Sequence, residues 1–231
     1  MRYTLRGASV AAFGGALLLF GGTILHPSGA DPNDAIAALS EYAADQLWIA
    51  SHLMQLLGVA LIVCALIQLS RLLASRSASG LAWIGATGAI ASLAVAAATQ
   101  AVDGIALKIM VDAWAAAAEP DRTTLFYATY GVRQIEVGLA SITSLLFGLT
   151  MCVYGVAVIS DHRLAKWLGW LPIFGGIPTA IAGVVIAYTG FSGLAMSINM
   201  PANSLLLIWI IALGVLFWRR DTEESATGSS E

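Results

Sequence analysis

Apolar residues run in long blocks along this chain and do not alternate with polar ones. Six blocks reach or approach the roughly 20 residues a helix needs to cross a bilayer. They lie at about residues 8–25, 47–69, 81–102, 135–159, 167–189 and 203–218. None carries Asp, Glu, Lys or Arg near its centre. Lipid offers no partner to a bare peptide group, so only helices and closed barrels can span it. The missing period-two alternation argues against barrel strands. The pattern therefore predicts an all-α membrane protein, a six-transmembrane-helix bundle forming one integral domain over residues 1–218. The acidic, Ser-rich stretch 219–231 lacks large apolar groups and is expected to be a disordered cytoplasmic tail.

The ends of the blocks predict an orientation. Arg2, Arg6, Arg71, Arg76, Arg163, Lys166, Arg219 and Arg220 fall on one side, and Lys108, Arg122 and Arg133 on the other. The side richer in Lys and Arg is the cytoplasmic one, which puts both termini inside the cell membrane and loop 27–46, with four acids and no base, outside. Residues 1–30 also admit a second reading. A basic start, an apolar middle and Ser28-Gly29-Ala30 fit a cleaved signal peptide, which would leave five spans.

Composition agrees with a bilayer environment. Hydrophobic residues make up 58% of the 231 and charged residues 11%, where a soluble domain carries about 25% charge. Mean hydropathy is +0.82. A net charge of −3 gives no electrostatic support to a nucleic-acid partner. Cys64 and Cys152 sit in apolar runs without metal-ligand spacing and read as small core residues.

Small residues predict where helices approach each other. Gly14, Gly15, Gly21 and Gly22 recur seven apart, about two turns, and so line one stripe. Such stripes let helix backbones come close in lipid, within the chain or in a homo-oligomer. Gly85, Gly88, Ala91 and Ala94 suggest a second face. Pro172, Gly175, Gly176 and Pro178 predict a kink in the fifth span, or a break of the kind transporters use. Trp48, Trp114, Trp167, Trp170 and Trp218 fall near span ends, where indole prefers the interface.

Candidate chemistry gathers at the external ends of spans one to four. His26 closes the first span before Pro27. Asp45, Trp48, His52, Gln55 and Val59 share a stripe on the second. Gln100 and Asp103 end the third, and Arg133 and Glu136, three apart, begin the fourth with a spacing that allows pairing. Ionisable groups near lipid are expensive and are functional candidates. His26, His52, Gln55, Gln100, Asp103, Arg133 and Glu136 are thus the candidate ligand-binding residues. His162 lies in an internal loop and reads as solvated. The segment 103–118 is helical in pattern and either extends the third span or lies on the membrane surface. With loop 27–46 it forms an external cap. Asn199, Pro201 and Asn203 read as a turn into the last helix.

Residues "LHP" at 25–27, Trp48 and His52, with a second span ending "QLSRLLASR", carry a resemblance over about the first 80 residues. The chain resembles small uncharacterised bacterial and archaeal polytopic membrane proteins with a His-Pro end to span one and a Trp-x-x-x-His second span. That resemblance implies no activity. With three histidines, the chain matches neither seven-helix hydrolases nor four-histidine dihaem cytochromes.

The leading expectation is an integral membrane protein, structural or binding a small ligand or ion through this polar layer, without a cofactor. It is not expected to be an enzyme: Ser51 adjoins His52, but sequence neighbours on a helix point about 100° apart. Two alternatives stand beside it, a metal- or haem-binding redox protein using His26 and His52, and a small transporter.

Overall fold

A computed structural model describes residues 2–74 and 78–227. The side chain of Arg2, all of Arg76 and tail residues 228–231 lie outside the described residues. The chain forms α1 (Arg2–Leu25), α2 (Ala35–Ala44), α3 (Trp48–Ala74), α4 (Ser79–Gln100), a π-helical turn (Ala101–Leu107), α5 (Lys108–Ala116), α6 (Asp121–Ser160), α7 (Trp167–Thr189) and α8 (Gly193–Thr227). No strand occurs among the described residues. Among the described residues six helices are long and apolar enough to cross a membrane, and the chain is an integral membrane protein.

The spans pack as a closed ring in the order α1, α3, α4, α6, α7, α8 and back to α1. Glycines set the close approaches. A Cβ on Gly15 would sit 2.8 Å from the Gly58 carbonyl, and one on Gly22 would sit 2.6 Å from that of Ser51. The α1 stripe therefore packs on α3 of the same chain. Between α6 and α7, Gly148, Gly155, Gly169, Gly176 and Gly183 press backbone on backbone, again at seven-residue spacing. α7 is continuous through Pro172 and Pro178, not broken. On α4, Gly85 and Gly88 face α6, whereas Ala94 is exposed.

One half of the ring is sealed by large side chains. Leu66, Leu69, Leu73, Met151, Tyr154, Trp209, Ile210 and Phe217 are fully buried there. Tyr154 Oη donates to the Leu66 carbonyl at 3.1 Å and lies 2.8 Å from Ser70 Oγ, and Trp209 Nε1 donates to the Leu168 carbonyl at 2.6 Å. The buried hydroxyls of Tyr154 and Ser70 and the Trp209 indole thus meet partners, as burial requires. Cys64 is an exception to the core reading: it lies on the outward surface of α3.

The other end carries a cap. α4, the π turn and α5 form one helical rod, and α6 runs 40 residues, about 60 Å at 1.5 Å per residue. Both exceed the ~30 Å hydrocarbon layer, so α5 and the start of α6 project beyond the bundle as a hairpin. The segment 103–118 thus extends the third span. α2 packs against this hairpin. Tyr42, Trp48, Leu107, Val111 and Trp114 form a second small core with Ala38 and Leu39. Trp48 and Trp114 are buried in it and do not anchor the interface, while Trp167, Trp170 and Trp218 are exposed.

α2 fell inside a predicted loop. Its start was legible in Asp34, whose carboxylate accepts from Ala37 N–H as an N-cap. Glu41 folds back to accept from the Gly29 and Ala30 N–H groups at 2.8 and 3.1 Å. Two further expectations are corrected. Asn199, Pro201 and Asn203 lie within α8, where the Asn203 amide donates to the Asn199 carbonyl at 3.0 Å instead of opening a turn. Residues 219–227 continue α8, with Thr222 and Ser225 hydroxyls donating one turn back to Trp218 and Asp221, and Asp221 is buried.

Candidate functional site

Three elements converge beneath α2: the end of α1, the first turns of α3 and the π turn. Gly104 permits the last contact, because a Cβ there would lie 2.5 Å from His52 Cβ. The π turn carries one residue more per turn than an α-helix, a distortion frequent at functional sites. It holds Asp103, whose carbonyl accepts from Trp48 Nε1 at 2.9 Å and whose carboxylate Oδ2 lies 3.0 Å from His52 Nε2.

The two histidines, 26 residues apart in sequence, meet here with ring centroids 5.0 Å apart. Trp48 packs on both, at 4.7 Å from His26 and 4.6 Å from His52. Each imidazole is fixed by a backbone carbonyl. His26 Nδ1 lies 2.8 Å from the Pro27 carbonyl, and His52 Nδ1 lies 2.6 Å from that of Trp48. A carbonyl accepts only from N–H, so Nδ1 carries a proton on both rings, and Nε2 of His52 is turned to the Asp103 carboxylate. Burial, reinforced by the nearby His52, holds the His26 imidazole below the usual histidine range. One nitrogen of each ring and one Asp103 oxygen lie within 4.8 Å of one another.

The remaining candidates flank this group in two pairs. Gln100 Nε2 donates to Gln55 Oε1 at 3.1 Å, one turn deeper. Arg133 and Glu136 form a buried ion pair on α6. The Arg133 guanidinium also lies over the rings of Tyr42, at 5.3 Å, and Phe191, at 5.0 Å. Tyr42 links the two parts of the layer, since its ring is 4.3 Å from that of Trp48. Burial pushes its phenol up to about 12, so the hydroxyl stays protonated. A cleft of about 330 Å³ opens beside Arg133 between the start of α2, α6 and the end of α7, lined by Asn33, Tyr130, Gln134 and Tyr188 among others.

Two acceptors in the layer are buried without a partner: Asp103 Oδ1 and Gln100 Oε1. Buried polar atoms are normally paired.

Sequence reasoning missed Tyr42, Trp48 as a site residue, and Lys108. The Lys108 ammonium is buried and donates to the Tyr42 and Ala43 carbonyls, both at 3.0 Å, and to Asp112 at 2.8 Å. It closes the C-terminal end of α2, where a cation is favoured. The Lys108–Asp112 spacing was visible; the α2 partner was not. Ser51 Oγ does reach His52 Nδ1, at 3.2 Å, despite adjacency in sequence. Both groups are spent on the Trp48 carbonyl, however, and Ser51 is fully buried. His162 is exposed at the opposite end.

The two histidine rings, with centroids 5.0 Å apart, can be compared with the axial pair of a haem. Two imidazoles on opposite faces of a haem iron have centroids about 6 Å apart at iron–nitrogen bonds of about 2 Å, and here Trp48 packs across both rings.

A family model described as a domain of unknown function (DUF4386) matches residues 10–217. No curated protein and no solved structure matches the chain.

Proposed function

The chain belongs to the DUF4386 family of domains of unknown function, and on that premise we propose that it is a non-enzymatic binding protein of the plasma membrane. It takes a small cation or hydrogen-bond donor into the polar layer beneath α2. The observation that carries this reading is the pair of buried, unpartnered acceptors, Asp103 Oδ1 and Gln100 Oε1. Acceptors without donors favour a ligand that brings positive charge or N–H and O–H groups. The excess of Lys and Arg at the opposite end supports a cap facing outward and both termini facing the cytoplasm. The ligand then enters from outside. The buried side chains of the other half, Tyr154, Trp209 and Phe217 among them, favour binding over transport.

The test is thermal melting of the detergent-purified full chain against a panel of monovalent and divalent cations and small amines. A ligand at 100 times its Kd raises stability by about 2.7 kcal/mol. The expected result is a shift that shrinks in Asp103→Asn and Gln100→Leu. A panel without any shift overturns the reading. Labelling an introduced Ser28→Cys in intact cells with a membrane-impermeant maleimide tests the orientation; protection of that position would reverse it.

A further inference from the structure

Resting on the binding reading above, we propose that the ligand is a divalent first-row transition-metal ion held by His26, His52 and the Asp103 carboxylate. The donor atoms already lie within 4.8 Å of one another. Ligands of a tetrahedral ion at about 2.0–2.1 Å are separated by about 3.3 Å, so the set closes on an ion by a modest contraction. The ring spacing agrees: two imidazoles at a tetrahedral angle place their centroids about 5 Å apart, and the observed value is 5.0 Å.

The hydrogen bonds around the rings are those a metal-ligating histidine needs. Such histidines donate their other N–H to a carbonyl or carboxylate, which fixes the tautomer and the ring orientation. His26 Nδ1 has the Pro27 carbonyl and His52 Nδ1 has the Trp48 carbonyl. Nδ1 donates to its carbonyl, so His52 Nε2 faces Asp103 Oδ2 3.0 Å away and meets it as an N–H donor in the absence of an ion and as a bare lone pair when an ion is held. Two lone-pair atoms at that distance need a positive charge between or beside them, and a proton or a metal ion provides it.

The charge pattern favours the metal. Arg133 is committed to Glu136, and Lys108 to Asp112 and two carbonyls. Among the described residues the ion-pair partner of Asp103 is His52, and its second oxygen has none. Two imidazoles and one carboxylate suit zinc, cobalt, nickel or ferrous iron; calcium and magnesium prefer oxygen-only sets. Three protein ligands leave a fourth position open to water or to an external ligand, on the side of the layer beneath α2. Each ligand sits on a different element, so the ion would also tie α1, α3 and the π turn together.

The experiment uses the full chain in detergent, purified through a tag without histidines, stripped with chelator and titrated with Co²⁺ as a visible probe. The expected result is one Co²⁺ per chain with the intense d–d bands of a tetrahedral site, displaced by Zn²⁺. Asp103→Ala, His26→Ala and His52→Ala should each weaken binding about 100-fold or more, beyond the loss usual for outer-shell partners. Asp103→His restores a ligand and should recover binding with a shifted spectrum, which separates loss of a ligand from loss of the fold. Tyr127→Phe, on the exposed face of α6, should bind as the parent does. Binding that survives all three alanine variants overturns the site. So does a folded parent that takes up neither Co²⁺ nor Zn²⁺: if amines or monovalent cations still shift its melting, the binding reading stands and the metal falls, and if nothing does, both fall.

Discussion

Substituting Gly104 by alanine tests how tightly the π turn is pressed onto α3. The new Cβ would lie 2.5 Å from His52 Cβ and 2.9 Å from Cγ. Carbon pairs settle at about 3.5–4.0 Å, so His52 or the turn must withdraw by about 1 Å. Overpacking of this kind costs about 1–3 kcal/mol. Alanine also favours a helical backbone over glycine by about 1 kcal/mol, and that gain has to be subtracted. Gly131→Ala supplies the reference, because a Cβ there meets nothing within 4 Å and gains the propensity alone. The expected difference between the two variants is therefore about 1–3 kcal/mol. At about 2–4 °C per kcal/mol for a chain of this size, their melting midpoints should separate by several degrees, followed by tryptophan fluorescence in detergent. Withdrawal of His52 should also lengthen its contact with Asp103, so Gly104→Ala should lose Co²⁺ affinity while Gly131→Ala keeps it. Coincident midpoints and equal affinities would refute the claim that this glycine sets the site.

Three further outcomes follow from the same contacts. Trp48→Phe removes the donor to the Asp103 carbonyl but keeps most of the ring packing, and should lower stability by about 0.5–1.5 kcal/mol by thermal melting; an unchanged midpoint would show that this bond contributes nothing. Lys108→Met takes away the ammonium that holds the Tyr42 and Ala43 carbonyls, so amide exchange should accelerate across α2 and stay slow in the spans; equal acceleration everywhere would contradict a local clamp. Gly148→Ala sets a Cβ 2.5 Å from the Ala180 nitrogen and the Gly176 carbonyl; backbone cannot step aside as a side chain can, so this variant should melt below Gly104→Ala, and the reverse order would refute the argument.

The six spans were legible because lipid imposes length and composition on each of them separately. The cap was legible only in part. Ala35–Ala44 is short and lies between Pro32 and Asp45, and its apolar side has no meaning until the α5–α6 hairpin stands beside it. Trp48 shows the same limit: near a span end an indole reads as an interfacial anchor, and only the second core turns it inward. The polar residues at the ends of spans one to four could be assigned to one layer from their depth alone, and the Arg133–Glu136 pair from its spacing. The division of that layer into a His26–His52–Asp103 group, a Gln55–Gln100 pair and an ion pair was not legible, because it depends on helix rotation. The π turn had no sequence signal beyond Gly104. The expected turn at 199–203 and the expected disorder over 219–227 are overturned for one reason: in both stretches side-chain oxygens and amides bond along a helix, and local composition does not tell a helix so supported from a loop.

What brings His26 and His52 together is the placement of glycines one turn away from them. On one side of His52, Gly22 lets α1 lie against the Ser51 carbonyl, where a Cβ would stand 2.6 Å from that oxygen. His26 follows exactly one turn later, with its N–H still bonded to the Gly22 carbonyl at 3.2 Å, and so its ring falls beside His52. On the other side, Gly104 lets the π turn close on His52 itself and delivers Asp103. Small residues in lipid serve helix approach everywhere in this ring. At the sealed half that approach is combined with large apolar side chains and leaves only packing. At the capped half the same approach is combined with imidazoles and a carboxylate, and packing there becomes a way of holding three donor atoms at fixed distances. The cost of bringing such groups near lipid falls because the small core beneath α2, built on Trp48, Tyr42 and Trp114, covers them. The cap and the glycine contacts therefore act together: the glycines set the distances, and the core beneath α2 covers the groups so held.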